Sequence, residues 1–399
     1  MSKTNILFIT WDGPQTSYME GLFMPIFQAI QKQDPTYQFH VMQFTWAGAE
    51  KLKTVSEAAH KMGIHYTSRP ITRKPHPTIG SFLSLWQGAK HIRKYASQHN
   101  IHVLMPRSTF PAHMAMKAKL SLPIIFDADG LPIQERVDFS GLKPGSKIYN
   151  FLRSIEQKMI ENAQLILTRS QHSVQYHIEN SSQKDPSKYF VVYNGRDSKL
   201  FSINPTQRQK KRKELGLQPQ DMLFIYAGSF GPQYGWDIML QIFQDYIKRN
   251  PHTHFLLLTG SPEKVNPLIP SGLKKHISVK SVAFDQVSAY LNAADLAFAI
   301  RQPMPSMQGV APIKLGEYLL TGLPVIASAG IGDTESILTD FPGSFLLNHQ
   351  NLDAGIQQIV ANLPLQVQEP TRQQNRENAM QYFTLQAAAN SYLHALKSL

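Results

Sequence analysis

The chain has 399 residues, 42% of them hydrophobic and 17% charged, and no cysteine. That length points to two domains and that composition excludes a disordered chain. The lack of cysteine excludes disulfide frameworks, thiolate metal sites and cysteine nucleophiles, so any chemistry falls to oxygen, nitrogen and charge. The formal charge of +12 is uneven: residues 1–200 carry 24 Lys and Arg against 14 Asp and Glu, and residues 201–399 carry 16 against 14. Residues 51–100 alone hold nine basic residues and one acid, Glu57. Such a basic face suits phosphate backbones or anionic lipid headgroups. With no zinc-finger spacing, no basic coiled-coil helix and no aromatic RNA-binding motif, nucleic acid is not an expected partner. The apolar run before Trp11 is too short for a secretory signal core. No stretch reaches the roughly 18 apolar residues of a membrane span. The expected location is the cytoplasm, with the inner face of the plasma membrane as a docking surface for the basic half.

In chain order, strands are predicted at Asn5–Thr10, Gln38–Thr45, Ile64–Ser68, His102–Pro106, Ile124–Asp127, Leu165–Thr168 and Phe190–Tyr193. Helix-period segments lie between them, such as Gly48–Met62, Ser81–Ser97, Ala112–Lys119 and Lys147–Asn162. Short apolar strands separated by helices mark a parallel sheet covered on both faces, a Rossmann-like domain. The stretch Asn204–Asp221, with QRQKKRKE at 207–214, has no apolar periodicity and reads as a domain boundary. A second series follows, with strands at Leu223–Tyr226, His254–Leu258, Ile277–Val282, Leu296–Ile300, Pro324–Ala327 and Ser344–Leu347. Helices are expected there at Trp236–Lys248, Gln286–Ala293, Ile313–Leu320 and Asp353–Asn362, with a final helix at about Arg372–Ser398. In such sheets ligands bind at the carboxyl ends of the strands.

The most informative segment is PIKLGEYLLTGLPVIAS, residues 312–328. Pro312 suits a first helical turn and Gly322 a helix stop. Lys314 and Glu317, three apart, share one helix face. A helix N-terminus bearing a cation fits a phosphate, and a carboxylate one turn on can accept hydrogen bonds from vicinal hydroxyls such as those of a ribose. An exposed ion pair worth about 0.3–0.5 kcal/mol fits the same spacing.

This segment resembles the signature P-x-K-x-x-E-Y-x-x-x-G-x-P-V of family 4 (group 1) retaining glycosyltransferases of the GT-B fold, bacterial type. Three further segments resemble elements of the same family: Ile124–Asp138 (IIFDADGLPIQERVD), Asn194-Gly195-Arg196-Asp197 with Phe201, and Tyr226-Ala227-Gly228-Ser229 with Gly235. The resemblance implies an α/β GT-B architecture, two Rossmann-like doubly wound parallel-sheet domains facing a central cleft. The expected division is an acceptor-binding domain at 1–200, a nucleotide-sugar domain at 201–371 and a helix at 372–399 packing back on the first. It implies transfer of a sugar from a nucleoside-diphosphate donor of UDP or GDP type to a glycan or lipid-linked hydroxyl, with retention, no cofactor and no metal, in surface-polysaccharide or glycoconjugate synthesis. A sugar-nucleotide epimerase and a non-catalytic binding partner of the same fold are the alternatives.

Carried onto this chain, the donor site takes Gly228, Ser229, Tyr234, Arg301, Pro312, Ile313, Lys314 and Glu317. Lys314 and the backbone at Gly228–Ser229 stabilise the leaving diphosphate, and Glu317 fixes the ribose. Many relatives have a glutamate where Gly309 stands, an arginine at Ser229 and a lysine at Tyr234, so Lys314 and Arg301 carry more of the phosphate contact here. On the acceptor side, Asp12, Gly13, Gln15 and Thr16 follow the first strand, where Asp12 fits either an acceptor contact or an N-cap. Asp129 and Arg107 are the other catalytic candidates, an Arg–Asp pair at adjacent strand ends, with a structural ion pair an equal reading. Asp127-Ala128-Asp129 has the look of a metal triplet, yet a strand end turning into Gly130 explains it better. His40, His102 and His254 border strands and read as packing residues. In Phe82–Tyr95, the residues Phe82, Leu85, Trp86, Ala89 and Ile92 form one stripe, read as core packing ahead of membrane contact, with Lys90, Arg93 and Lys94 on another.

Overall fold

The computed structural model describes residues 3–14, 16–73 and 77–399. The chain divides into two compact units, Met1–Tyr193 with Gln308–Val310 and Leu385–Leu399, and Asn194–Met307 with Ala311–Thr384.

In the first unit the strands are β1 (Thr4–Asp12), β2 (Tyr37–Thr45), β3 (His65–Pro70), β4 (Val103–Pro106), β5 (Ile125–Asp129), β6 (Leu165–Thr168) and β7 (Tyr189–Val191). They pair in parallel in the orders β3-β2-β1-β4 and β5-β6-β7. Single bridges from Leu104 to Ile124 and from Arg107 to Asp127 set β5 beside β4. The second unit has β8 (Met222–Ala227), β9 (Thr253–Leu258), β10 (Ile277–Lys280), β11 (Leu296–Ala299), β12 (Val325–Ser328) and β13 (Phe345–Leu347), ordered β10-β9-β8-β11-β12-β13. Both sheets therefore reverse strand order beside their first strand, at β1/β4 and at β8/β11. That reversal opens a crevice at the strand ends where doubly wound sheets take ligands. The central strands are buried on both faces, which is why they are almost continuously apolar: Ile6 to Ile9 and Met222 to Ala227 are all buried.

Where the structure departs from the predicted elements, the causes are local. Residues 204–221, read as a domain boundary, lie within the second unit, where Pro205–Glu214 is a helix whose N-cap, Asn204, accepts from Gln207 N at 2.9 Å. It lacks apolar periodicity because arginines hold it. Arg208 and Arg212, one turn apart, meet the two oxygens of Asp295 at 2.5 and 3.0 Å. The expected C-terminal helix is two helices, Glu369–Tyr382 in the second unit and Leu385–Leu396 in the first. Residues 19–33, for which no element is predicted, form a π turn, Met19–Phe23, running into the helix Met24–Gln33. Pro25, with no N–H to give, stands where the bonding pattern changes. In the helix Pro77–Gln98, Leu85, Ala89 and Ile92 are buried as predicted, but Trp86 is 64% exposed, with Lys90 Nζ 3.8 Å from its ring centroid. The structure thus removes Trp86 from the core stripe; the Phe82 side chain lies outside what is described.

The predicted packing histidines are partnered. His102 Nδ1 accepts from Asn5 N at 2.9 Å, and His254 Nε2 lies 3.8 Å from Asp221. His40 is buried, with Nδ1 3.1 Å from Tyr95 Oη and its ring 4.4 Å from His65 and 5.7 Å from His99. Burial, then repulsion from His65 and His99, lowers His40 to about 4. An unfolded histidine titrates near 6.5, so between 6.5 and 4 the unfolded chain binds a proton that the folded chain refuses, and stability falls as pH falls through that window. Denaturation midpoints of the first unit at pH 7, 5.5 and 4.5 should therefore decline, and His40→Gln should flatten the decline. A variant as acid-sensitive as the parent would contradict this account.

Candidate functional site

In the second unit the predicted donor residues gather at the β8/β11 crevice. After β8 the chain turns through Gly228, whose φ of +147° suits glycine and where a Cβ would lie 2.6 Å from Lys314 Nζ. Lys314 lies in the first turn of the helix Ile313–Leu320, for which Pro312 is the N-cap residue. Its Nζ donates to Tyr226 Oη at 2.8 Å and sits 4.1 Å from the Tyr226 ring centroid and 4.6 Å from that of Tyr234. Tyr226 Oη in turn donates to Ser229 O at 2.5 Å. From beyond β11, the Arg301 guanidinium lies 5.1 Å from the Tyr234 ring centroid. Arg301 is anchored by its backbone N, which donates to Ser328 Oγ at 3.0 Å at the end of β12, while its buried Nε has no hydrogen-bond partner.

Tyr234 stands where the family pattern carries lysine and makes a platform shared by two cations. Neither Lys314 nor Arg301 has a carboxylate in ion-pair range among the described residues. Burial, reinforced by the Arg301 charge, pushes the Lys314 ammonium well below its ordinary pKa, against a weaker upward pull from Glu317. Two converging cations with no carboxylate in ion-pair range, beside a helix N-terminus and a glycine turn, are an arrangement that suits an anion.

Glu317 is buried at 8% exposure, and its Oε1 accepts from Arg196 Nε at 2.9 Å. The alternative reading of an exposed Lys314–Glu317 pair is therefore not what forms: the carboxylate is paired with a residue 121 positions away. Burial raises the Glu317 carboxyl and Arg196 is the strongest opposing influence. Sequence reasoning gave Arg196 no role. It sits inside the quoted Asn194–Asp197 motif, and a charged residue within that motif was the available signal.

In the first unit the structure brings Asp12, Arg107 and Asp129 together across β1, β4 and β5, as strand order requires. Arg107 meets Asp129 Oδ2 at 2.5 Å and Asp12 Oδ1 at 3.5 Å. Arg169, after β6, holds both oxygens of Asp127 at 2.9 and 2.8 Å and lies 3.8 Å from Asp129. Three carboxylates thus face two guanidinium groups. Asp127 is fully buried, whereas the Asp129 side chain keeps 31% of its surface exposed. Asp129 and Ser108 both hold φ of +65°, a conformation that costs a non-glycine residue free energy and collects at functional sites. Asp12 is not an N-cap; it accepts from Thr10 Oγ1 at 2.5 Å and faces Arg107. Thr16 closes a turn onto Gly13 O, its Oγ1 at 3.1 Å. Gln15 lies outside the described residues. Both aspartates of the 127–129 triplet face arginines, and among the described residues no group of three or more His, Asp or Glu is arranged to hold a metal ion.

Residues 221–363 match the family model described as glycosyl transferases group 1. The chain is 25% identical over 259 residues to a D-inositol 3-phosphate glycosyltransferase of Jonesia denitrificans, covering 62% of this chain and 60% of that protein. It is 27% identical over 183 residues to a UDP-Gal:alpha-D-GlcNAc-diphosphoundecaprenol alpha-1,3-galactosyltransferase of Escherichia coli, covering 44% and 45%. The matches thus span less than two thirds of these relatives' own lengths. Among solved structures, HepE of Anabaena in complex with UDP-glucose superposes with a TM-score of 0.70 at 16% identity, covering 99% of this chain and 100% of that one. The fold is that of the GT-B glycosyltransferases, two α/β domains built on parallel sheets.

The buried pair in the first unit carries a stability prediction. Arg169→Met leaves the Asp127 carboxylate buried without its partner and should cost about 3–5 kcal/mol, with Arg169→Met/Asp127→Leu recovering most of the loss. Urea denaturation of the first unit measures both. A single variant within about 1 kcal/mol of the parent would show that the pair does not hold the β5 and β6 ends together.

Proposed function

We propose that the chain is a retaining, metal-independent glycosyltransferase that moves a hexose from a UDP- or GDP-type sugar nucleotide to a hydroxyl of a glycan or lipid-linked acceptor, in bacterial surface-polysaccharide or glycoconjugate synthesis. The observation that carries this reading is the pair Lys314 and Arg301, two cations without a counter-charge at the β8/β11 crevice, with a carboxylate one helical turn from the lysine. Breaking the bond between the anomeric carbon and the diphosphate leaves negative charge on phosphate oxygens. Preorganised cations and backbone N–H groups lower that barrier, each well-placed donor by about 3–4 kcal/mol. Lys314, Arg301, the N–H groups opening the helix at Ile313 and the turn at Gly228–Ser229 fill this role. Glu317 takes the ribose hydroxyls. In the first unit, Asp129 and Arg107, with Asp12, Gly13 and Thr16, receive the acceptor. The galactosyltransferase relative supports a hexose donor and a diphosphate-lipid acceptor, and the UDP-glucose complex of HepE supports a uridine donor.

The working place is the cytoplasm, with the first unit resting on the inner leaflet. Support comes from one face of the helix Pro77–Gln98, where exposed Leu83 and Trp86 are followed by exposed Lys90, Arg93 and Lys94. Apolar side chains leading a cationic stripe suit an anionic bilayer interface, each cation contributing about 1 kcal/mol.

Thermal shift tests the donor site. In EDTA, one of UDP, GDP and ADP should raise the melting temperature of the parent, and Lys314→Ala and Glu317→Ala should each weaken that ligand at least tenfold while remaining folded. Unchanged affinity in both variants would remove the site assignment. Release of nucleoside diphosphate only when acceptor is present separates transferase from epimerase. Sedimentation with phosphatidylglycerol vesicles tests docking: Trp86→Ala/Lys90→Ala should bind at least tenfold more weakly, and equal binding would place docking elsewhere.

A further inference from the structure

The segment Asn194-Gly195-Arg196-Asp197 grips the helix Ile313–Leu320 at two points. Asn194 Nδ2 donates to Ala311 O at 2.9 Å, just ahead of the helix, and Arg196 Nε donates to Glu317 Oε1 at 2.9 Å one turn in. Arg196 is itself fixed: it is buried, its NH1 donates to Gly195 O at 3.1 Å and its backbone N to Phe383 O at 2.8 Å. The contact runs through Nε to one carboxylate oxygen, and an ionised carboxylate has about four lone-pair sites. Pairing with Arg196 therefore anchors Glu317 without exhausting it as an acceptor.

We propose that Arg196 is a positioning residue for nucleotide recognition, its guanidinium fixing the Glu317 carboxylate as a charged acceptor for the vicinal hydroxyls of the ribose. The inference rests on the nucleotide reading of the site. The charged and titratable groups around Glu317 are Arg196 from the 194–197 segment and Lys314 and Tyr318 from its own helix. On the helix Glu369–Tyr382, Arg372 and Arg376 bond Thr321 O and Leu320 O at the far end of the helix. Burial pushes Glu317 up and Arg196 most strongly holds it down, so a chain without Arg196 protonates Glu317 more readily as pH falls. A protonated carboxyl loses acceptor capacity.

Calorimetric titration with UDP, GDP and ADP at pH 6, 7 and 8 tests this on the parent, Arg196→Met, Arg196→Lys and Arg196→Met/Glu317→Gln. Taking the ratio of variant to parent Kd removes the titration of the phosphate itself. For the diphosphate that binds the parent, Arg196→Met should bind at least tenfold more weakly at pH 6, with the deficit narrowing toward pH 8. Arg196→Lys should recover part of the affinity, and the double variant should show a deficit independent of pH. If Arg196→Met does not fold, Arg196→Lys and Glu317→Gln carry the test, the first with a smaller pH-dependent deficit and the second with a constant one. An Arg196→Met deficit that is the same at every pH, or parent-like affinity in Arg196→Lys and Arg196→Met alike, overturns the proposal. A parent that binds none of the three overturns the nucleotide reading beneath it.

Discussion

Lys314 is held beside two phenol rings with its ammonium near Arg301 and with its nearest carboxylate already paired elsewhere. A buried cation in this position is destabilised by lost hydration and by its neighbour, and rings repay only part of that, about 0.5–2 kcal/mol. The surrounding sequence follows from this constraint. Gly228 must lack a side chain to leave Nζ its place, Tyr226 and Tyr234 supply π faces, and Arg196 draws Glu317 away from a neutralising contact. On the function proposed above, an anion between Lys314 and Arg301 meets both charges at once, which favours a dianionic group.

The first unit manages charge in the opposite way. Arg169 and Asp127 neutralise one another in full burial, and that pair fixes the ends of β5 and β6. Arg107 then reaches Asp129 and Asp12, of which Asp129 alone is substantially exposed. The backbone strain at Ser108 and Asp129 lies on the two strand ends that flank the bridge between Arg107 and Asp127. A neutralised base carrying one presented carboxylate suits recognition of a neutral hydroxyl, as two uncompensated cations suit a phosphate.

Much of this was legible in the chain. Each predicted strand is present, the central ones because strands buried on both faces write themselves as apolar runs, and Lys314 and Gly228 meet at the end of β8. What escaped depends on partners distant in sequence. The 205–214 helix is stabilised by Arg208 and Arg212 reaching Asp295, more than 80 residues on, and so leaves no periodic signature. Trp86 fits a core stripe by spacing alone, yet it is largely exposed, with Lys90 over its ring. The partner of Glu317 was hidden because i,i+3 spacing favours Lys314, whereas the tertiary fold delivers Arg196.

On the function proposed above, Lys314 and Arg301 together recognise a diphosphate. The most direct measurement is the difference in affinity between UDP and UMP, in the parent and in Lys314→Met/Arg301→Met, at fixed ionic strength. The parent should bind UDP at least 100-fold more tightly than UMP, and the double variant should lose most of that gap while remaining folded. Equal affinity for the two nucleotides in the parent, or an undiminished gap in the double variant, would contradict it.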